Sequence, residues 1–138
     1  MKIEPSLRKL VKEDLKKIFI LEDDENVCEL LKNFLEDGYN LVFEKNGSKA
    51  LSEIQIERPD LILLDIRIPE QSGIEVLKLL KLYSSTKNIP VVMLTALADK
   101  PTVIECLKLG ANDYIVKPFD IKILKDKISS LITTEQRR

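Results

Sequence analysis

Leu61-Ile62-Leu63-Leu64-Asp65 decides the fold: four apolar residues without a break, closed by a carboxylate. So short an apolar run, bounded by polar residues, reads as a strand buried on both faces, and such strands belong to parallel sheets covered by helices. A carboxylate at the end of the run then emerges at the rim of the sheet, where open α/β sheets bind ligands. Three similar runs also end in polar signals. Lys17 to Leu21 precedes Glu22-Asp23-Asp24, Val91 to Leu94 precedes Thr95, and Tyr114 to Val116 precedes Lys117-Pro118.

Helical patterns separate these runs. Val27, Leu30, Leu31, Phe34 and Leu35 form one stripe, which Gly38 would end in a left-handed conformation. Leu41 to Phe43 is a second short strand, and Asn46-Gly47-Ser48 supplies a turn and a cap for a helix striped by Ala50, Leu51 and Ile54. Arg58-Pro59 ends that helix, since Pro restricts the residue before it. After the loop from Arg67 to Gly73, Ile74, Leu77 and Leu80 mark a third helix. Asp99 and Pro101 open a fourth, striped by Val103, Ile104 and Leu107 and stopped by Gly110. Ile121, Leu124, Ile128 and Leu131 mark the fifth.

Strand followed by helix, repeated five times, predicts an α/β fold: a doubly wound five-stranded parallel sheet, helices on both faces and right-handed crossovers. The pattern fits either common doubly wound strand order. Residues 16–133 form the predicted domain and 134–138 a C-terminal tail. Residues 1–15 read as an N-terminal extension or linker, in which Leu7, Leu10, Val11 and Leu15 can stripe a short helix.

Composition narrows the function. With 44% apolar and 33% charged residues, the chain of 138 residues is an ordinary globular sequence, long enough for one core. Its net charge of -1 and dispersed lysines and arginines give no electrostatic case for nucleic acid. No apolar stretch approaches the roughly 20 residues that span a bilayer, and no signal peptide is recognisable, so a cytoplasmic location is expected. There is no histidine, which excludes histidine-based catalysis and the usual Cys/His zinc sites. Cys28 and Cys106 read as packed thiols.

What remains is oxygen and lysine chemistry. Were Glu22, Asp23 and Asp65 to gather within about 4–6 Å, like charges would repel by about 4 kcal/mol per pair at the near end of that range. A divalent cation relieves this, as does protonation of one acid. All-oxygen ligation suits Mg²⁺, which keeps several waters and takes phosphate oxygens readily. Asp65 could then act as a nucleophile toward phosphorus and form an aspartyl phosphate. Lys117 offers a point charge for a phosphoryl oxygen, Thr95 a hydroxyl donor, and small Ala96 leaves room.

Residues 18–25 (Ile-Phe-Ile-Leu-Glu-Asp-Asp-Glu), 59–69 (Pro-Asp-Leu-Ile-Leu-Leu-Asp-Ile-Arg-Ile-Pro) with Gly73, 93–96 (Met-Leu-Thr-Ala) and 110–119 (Gly-Ala-Asn-Asp-Tyr-Ile-Val-Lys-Pro-Phe) closely resemble receiver domains of two-component response regulators. The resemblance covers residues 17 to about 132. It implies the flavodoxin-like order 2-1-3-4-5 and Asp65 as phosphoacceptor. It also implies Asp23 and Asp65 as direct Mg²⁺ ligands, Glu22 as a ligand through water, and the backbone carbonyl of Arg67 as another. Thr95 and Lys117 match the family's phosphoryl contacts, and Tyr114 the aromatic switch that moves inward with Thr95. A cis bond before Pro118 is implied as well. The implied donor is a sensor histidine kinase or a phosphotransfer protein. The implied output is a changed surface on the fourth helix, fifth strand and fifth helix, where a homodimer can form.

Two departures concern the site. Arg67 and Leu97 occupy positions that tune phosphoryl lifetime in the family, and Glu70 stands where an uncharged residue is common. A phosphatase working through an aspartyl phosphate is disfavoured, because the commonest such family needs a second acid at position 67, which is Arg. A receiver-shaped module that is never phosphorylated typically lacks an acid, the hydroxyl or the lysine, and all are present here.

Overall fold

The structure, a computed structural model, describes residues 14–136. The helix suggested for residues 1–15 falls on positions that, save Asp14 and Leu15, lie outside the described residues. In chain order the elements are β1 (Lys17–Leu21), α1 (Glu25–Leu35), β2 (Asn40–Glu44), α2 (Gly47–Glu57) and β3 (Leu61–Leu64), followed by α3 (Gly73–Leu82), β4 (Val91–Thr95), α4 (Lys100–Lys108), β5 (Asp113–Val116) and α5 (Ile121–Gln136). The α5 helix continues three residues past 133.

All strand pairs are parallel and the order is β2-β1-β3-β4-β5, so the structure selects one of the two windings the pattern left open. β3 lies at the centre, and none of its four residues is more than 1% exposed. That burial is why its sequence is continuously apolar instead of alternating. Alternate strand residues feed two cores. Phe19, Leu21, Ile62, Leu64, Val91 and Met93 pack toward α2, α3 and α4. Ile18, Ile20, Leu61, Leu63, Val92 and Leu94 pack toward α1 and α5.

Helix ends follow local chemistry. Asp24 caps α1, accepting from the Asn26 amide at 2.8 Å, so this acid is used by the backbone. Asn46, Ser72 and Asp99 cap α2, α3 and α4 in the same way. Gly110, at φ 106°, closes α4 with two reverse bonds: its amide donates to Leu107 at 3.1 Å and that of Ala111 to Cys106 at 3.0 Å. Arg58 ends α2 in the left-handed region at φ 50°.

Some expectations fail. Gly38 is not left-handed; α1 ends through right-handed Glu36. Its stripe is narrower than the spacing suggested, with Leu31 and Leu35 buried and Leu30 and Phe34 exposed. On α4 the buried residue is Cys106, while Ile104 and Leu107 face outward. A single apolar pattern can serve two faces, one turned to the core and one to solvent or a partner.

Candidate functional site

The register brings the acids together. Leu21 pairs with Leu64, so the residues that follow, Glu22 and Asp65, leave neighbouring strands at the same carboxyl rim. Backbone bonds fix them there: the Asp65 amide donates to Leu21 at 3.0 Å and the Glu22 amide to Glu44 at 3.0 Å. One carboxylate oxygen each from Glu22, Asp23 and Asp65 lies within 4.8 Å of the others. Glu22 is 2% exposed and Asp65 7%, while Asp23 faces solvent, so the cluster is walled on one side and open on the other.

Lys117 follows β5 and reaches across the end of β4. Its Nζ donates to Asp65 Oδ2 at 2.8 Å and to Glu22 Oε1. Thr95 lies beneath this span, 1% exposed, with its carbonyl accepting from the Lys117 amide at 2.9 Å. The Lys117–Pro118 bond is cis. Burial pushes the Glu22 carboxyl up; Lys117 and the Asp24 amide pull it down, and the charge of Asp65 pushes it up again. Burial also works against the Lys117 ammonium, yet Asp65 and Glu22 outweigh it and hold its pKa above the ordinary lysine value.

Thr95 and Tyr114 grip the same residue. The Thr95 hydroxyl accepts from the Leu97 amide at 3.4 Å, and the Tyr114 hydroxyl donates to the Leu97 carbonyl at 2.7 Å. The Tyr114 ring packs on the core, and burial, ahead of the nearby charges, raises its phenol to about 12. The two residues expected to act as a switch are thus joined through the backbone of one residue, by its amide on one side and its carbonyl on the other. Arg67 stands apart: its side chain is exposed, and only its backbone follows Asp65 closely.

Two residues named from the sequence without a structural role, Gly73 and Glu70, acquire one here. A Cβ on Gly73 would lie 2.0 Å from the Asp65 carbonyl oxygen, so the start of α3 presses directly on the Asp65 backbone. Glu70 bonds across to the cap of α2. The Cys28 Sγ lies 3.5 Å from the Glu22 carbonyl, and burial, with nearby acids, raises the thiol to about 11, so it is protonated at neutral pH.

A carboxyl pair stands beside the site. Glu44 hydrogen-bonds Glu53, and that bond, reinforced by burial, raises Glu53 to about 7, from an ordinary value of 4.5. A folded-state value above the unfolded one means that the folded form binds the extra proton. This contribution to stability is complete below about 4.5 and is lost as pH rises through about 7. A carboxyl-carbon NMR titration should show the Glu53 inflection near 7, and an ordinary Glu midpoint would contradict the shared proton.

A family model described as the response regulator receiver domain matches residues 18–129. The chain is 41% identical to transcriptional regulatory protein CrdR of Helicobacter pylori, over 82% of this chain and 53% of that protein. It is 38% identical to sporulation initiation phosphotransferase F of Bacillus subtilis, over 84% of this chain and 93% of that one. A structural neighbour is the receiver domain of a sensor histidine kinase from Pseudomonas aeruginosa, crystallised with magnesium in its active site cleft. It superposes with a TM-score of 0.79 at 27% identity, over 86% of this chain and 98% of that one. The chain spans about half the length, or less, of the first curated relatives it matches.

Proposed function

Because this chain belongs to the response regulator receiver domain family, we propose that it is a phosphorylation-operated switch with Asp65 as the acceptor. The observation that carries this reading is the convergence of Glu22, Asp23 and Asp65 with Lys117 at one rim of the sheet. An Asp65 carboxylate oxygen bonds to phosphorus as the bond from phosphorus to a donor imidazole nitrogen breaks, and the released imidazole takes a proton. The donor is the phosphohistidine of a sensor histidine kinase or phosphotransfer protein, since this chain has no histidine. Lys117 holds a phosphoryl oxygen and Thr95 donates its hydroxyl to another.

The donor set fits Mg²⁺. Three hard carboxylates face one amine, which leaves an excess of negative charge in a partly buried cluster. Asp23 and Asp65 would hold the ion directly, Glu22 through water, and Arg67 through its backbone carbonyl. What Mg²⁺ supplies there is neutralisation of the acids and of the incoming phosphoryl oxygens. The relative crystallised with magnesium supports the assignment.

The output runs from Thr95 through Leu97 to Tyr114 and on to α4, β5 and α5. Ile104, Leu107, Val116 and Ile123 stand exposed on those elements, an apolar surface suited to a target or to a second copy of the chain. No helix among the described residues is long and apolar enough to cross a membrane, in keeping with a cytoplasmic role. The test is incubation with acetyl phosphate and Mg²⁺. Hydroxylamine-labile phosphoprotein mapping to Asp65 is expected, and its absence with every donor would remove the reading.

Lys117→Met separates the amine from the cation. Removing one partner of a buried ion pair costs about 3 kcal/mol, so the variant should melt roughly 10 °C lower in EDTA. Added Mg²⁺ should then raise its melting temperature more than that of the parent, because the acids have lost their internal counterion. Equal shifts in both proteins would show that Lys117 and the cation do not compete.

A further inference from the structure

Glu70 sits at φ 69°, in the left-handed region, without being glycine. Such a conformation costs about 1 kcal/mol or more and persists only when surrounding contacts enforce it. Here the contacts are specific. The Glu70 carboxylate accepts from Asn46 Nδ2 and, at 3.5 Å, from the Ser48 hydroxyl. The neighbouring Pro69 carbonyl accepts from the Gly47 amide at 3.1 Å and from that of Gln71 at 2.8 Å. A Cβ on Gly47 would lie 1.8 Å from the Gln71 carbonyl oxygen, so the loop after Asp65 rests directly on the first turn of α2.

Asn46 is itself anchored to the site. Its amide donates to Glu44 Oε2 at 2.9 Å, and its Oδ1 accepts from the Ser48 amide at 2.8 Å, which turns Nδ2 toward Glu70. The Glu44 carbonyl in turn accepts from the Glu22 amide at 3.0 Å. A chain of bonds therefore runs from Glu22 through Glu44 and Asn46 to Glu70, and ties the loop after Asp65 to the β2 side of the carboxylate cluster. At its other end the loop is pinned by the Gly73 amide, which donates to Ile66 at 2.9 Å.

We propose that Glu70 is a positioning residue for phosphoryl transfer at Asp65: by clamping residues 66–72 onto the cap of α2, it fixes the backbone that carries Asp65 and Arg67. The inference rests on Asp65 being the acceptor. It gives the charge at position 70 a purpose, since a carboxylate makes a stronger bond to the Asn46 amide than a neutral acceptor does.

The test compares the parent with Glu70→Gly, N46D and the N46D/E70Q double variant in acetyl phosphate labelling rate, with thermal melts alongside. Glu70→Gly removes the clamp but relieves the left-handed strain, so its melting temperature should change little while the rate falls roughly three- to tenfold. N46D keeps a good helix cap yet sets two carboxylates against each other, and the rate should fall similarly. The double variant restores the bond with donor and acceptor exchanged, and should recover most of the parental rate. Parental rates in Glu70→Gly and N46D, or no recovery in the double variant, would overturn the positioning role. A parent that gains no phosphoryl group at Asp65 would overturn the acceptor assignment and the role with it.

Discussion

Asp65→Asn should abolish phosphoprotein formation and leave the fold at least as stable as the parent in metal-free buffer. The first half follows from chemistry: an amide oxygen is no nucleophile toward phosphorus at neutral pH. The second follows from comparing charges. Asp65 gains about 6 kcal/mol from Lys117 at the observed separation, at an effective dielectric of 20. It loses about 3.5 kcal/mol or more to each of Glu22 and Asp23. Repulsion from two acids thus roughly offsets attraction to one amine, and the desolvation of a carboxylate only 7% exposed is then removed by the substitution. A gain of about 1 kcal/mol is expected, a trade of stability against activity common at functional sites. Urea melts in EDTA and labelling with acetyl phosphate measure the two halves. Undiminished labelling would mean that another residue accepts the phosphoryl group.

Among the glycines, Gly73→Ala should be the most damaging Gly→Ala change after Gly47→Ala. The added Cβ would meet the Asp65 carbonyl oxygen at 2.0 Å and its carbon at 2.8 Å, both backbone atoms that no side-chain rotation can clear. Either α3 or the end of β3 must move. Overpacking of this kind costs about 3 kcal/mol, or roughly 10 °C in melting temperature for a domain of this size. Because the displaced atom belongs to Asp65, the proposed acceptor, labelling of the folded fraction should fall as well. A variant that melts and labels like the parent would show the contact to be far softer than the geometry indicates.

The sheet was legible because β1, β3 and β4 are buried on both faces, and burial writes itself into sequence as unbroken apolar runs with abrupt polar ends. Asp99, Asn46 and Gly110 were legible too, since capping depends on the nearest few residues. The faces of α1 and α4 were not. Leu30, Phe34, Ile104 and Leu107 share the helical spacing of core residues, and only the packed structure tells which apolar positions the sheet covers. The strand order came from the family resemblance, not from periodicity. Within the site, the convergence of Glu22, Asp23, Asp65 and Lys117 was foreseen. Lys117 bridging two acids, and Leu97 joining Thr95 to Tyr114, depend on side-chain reach between distant segments. Glu70 stood out only by its charge; its left-handed conformation and its bond to Asn46 left no local signal, because the partner lies 24 residues away in the chain.

Lys117 stands 95 residues from Glu22 and 52 from Asp65 in the chain, yet touches both. During synthesis the acids leave the ribosome long before the amine that balances them. A form in which β5 has not docked leaves Glu22 and Asp65 without their internal counterion. The charge balance at this rim is therefore a tertiary property, present only where the first, third and fifth strands are assembled in one sheet.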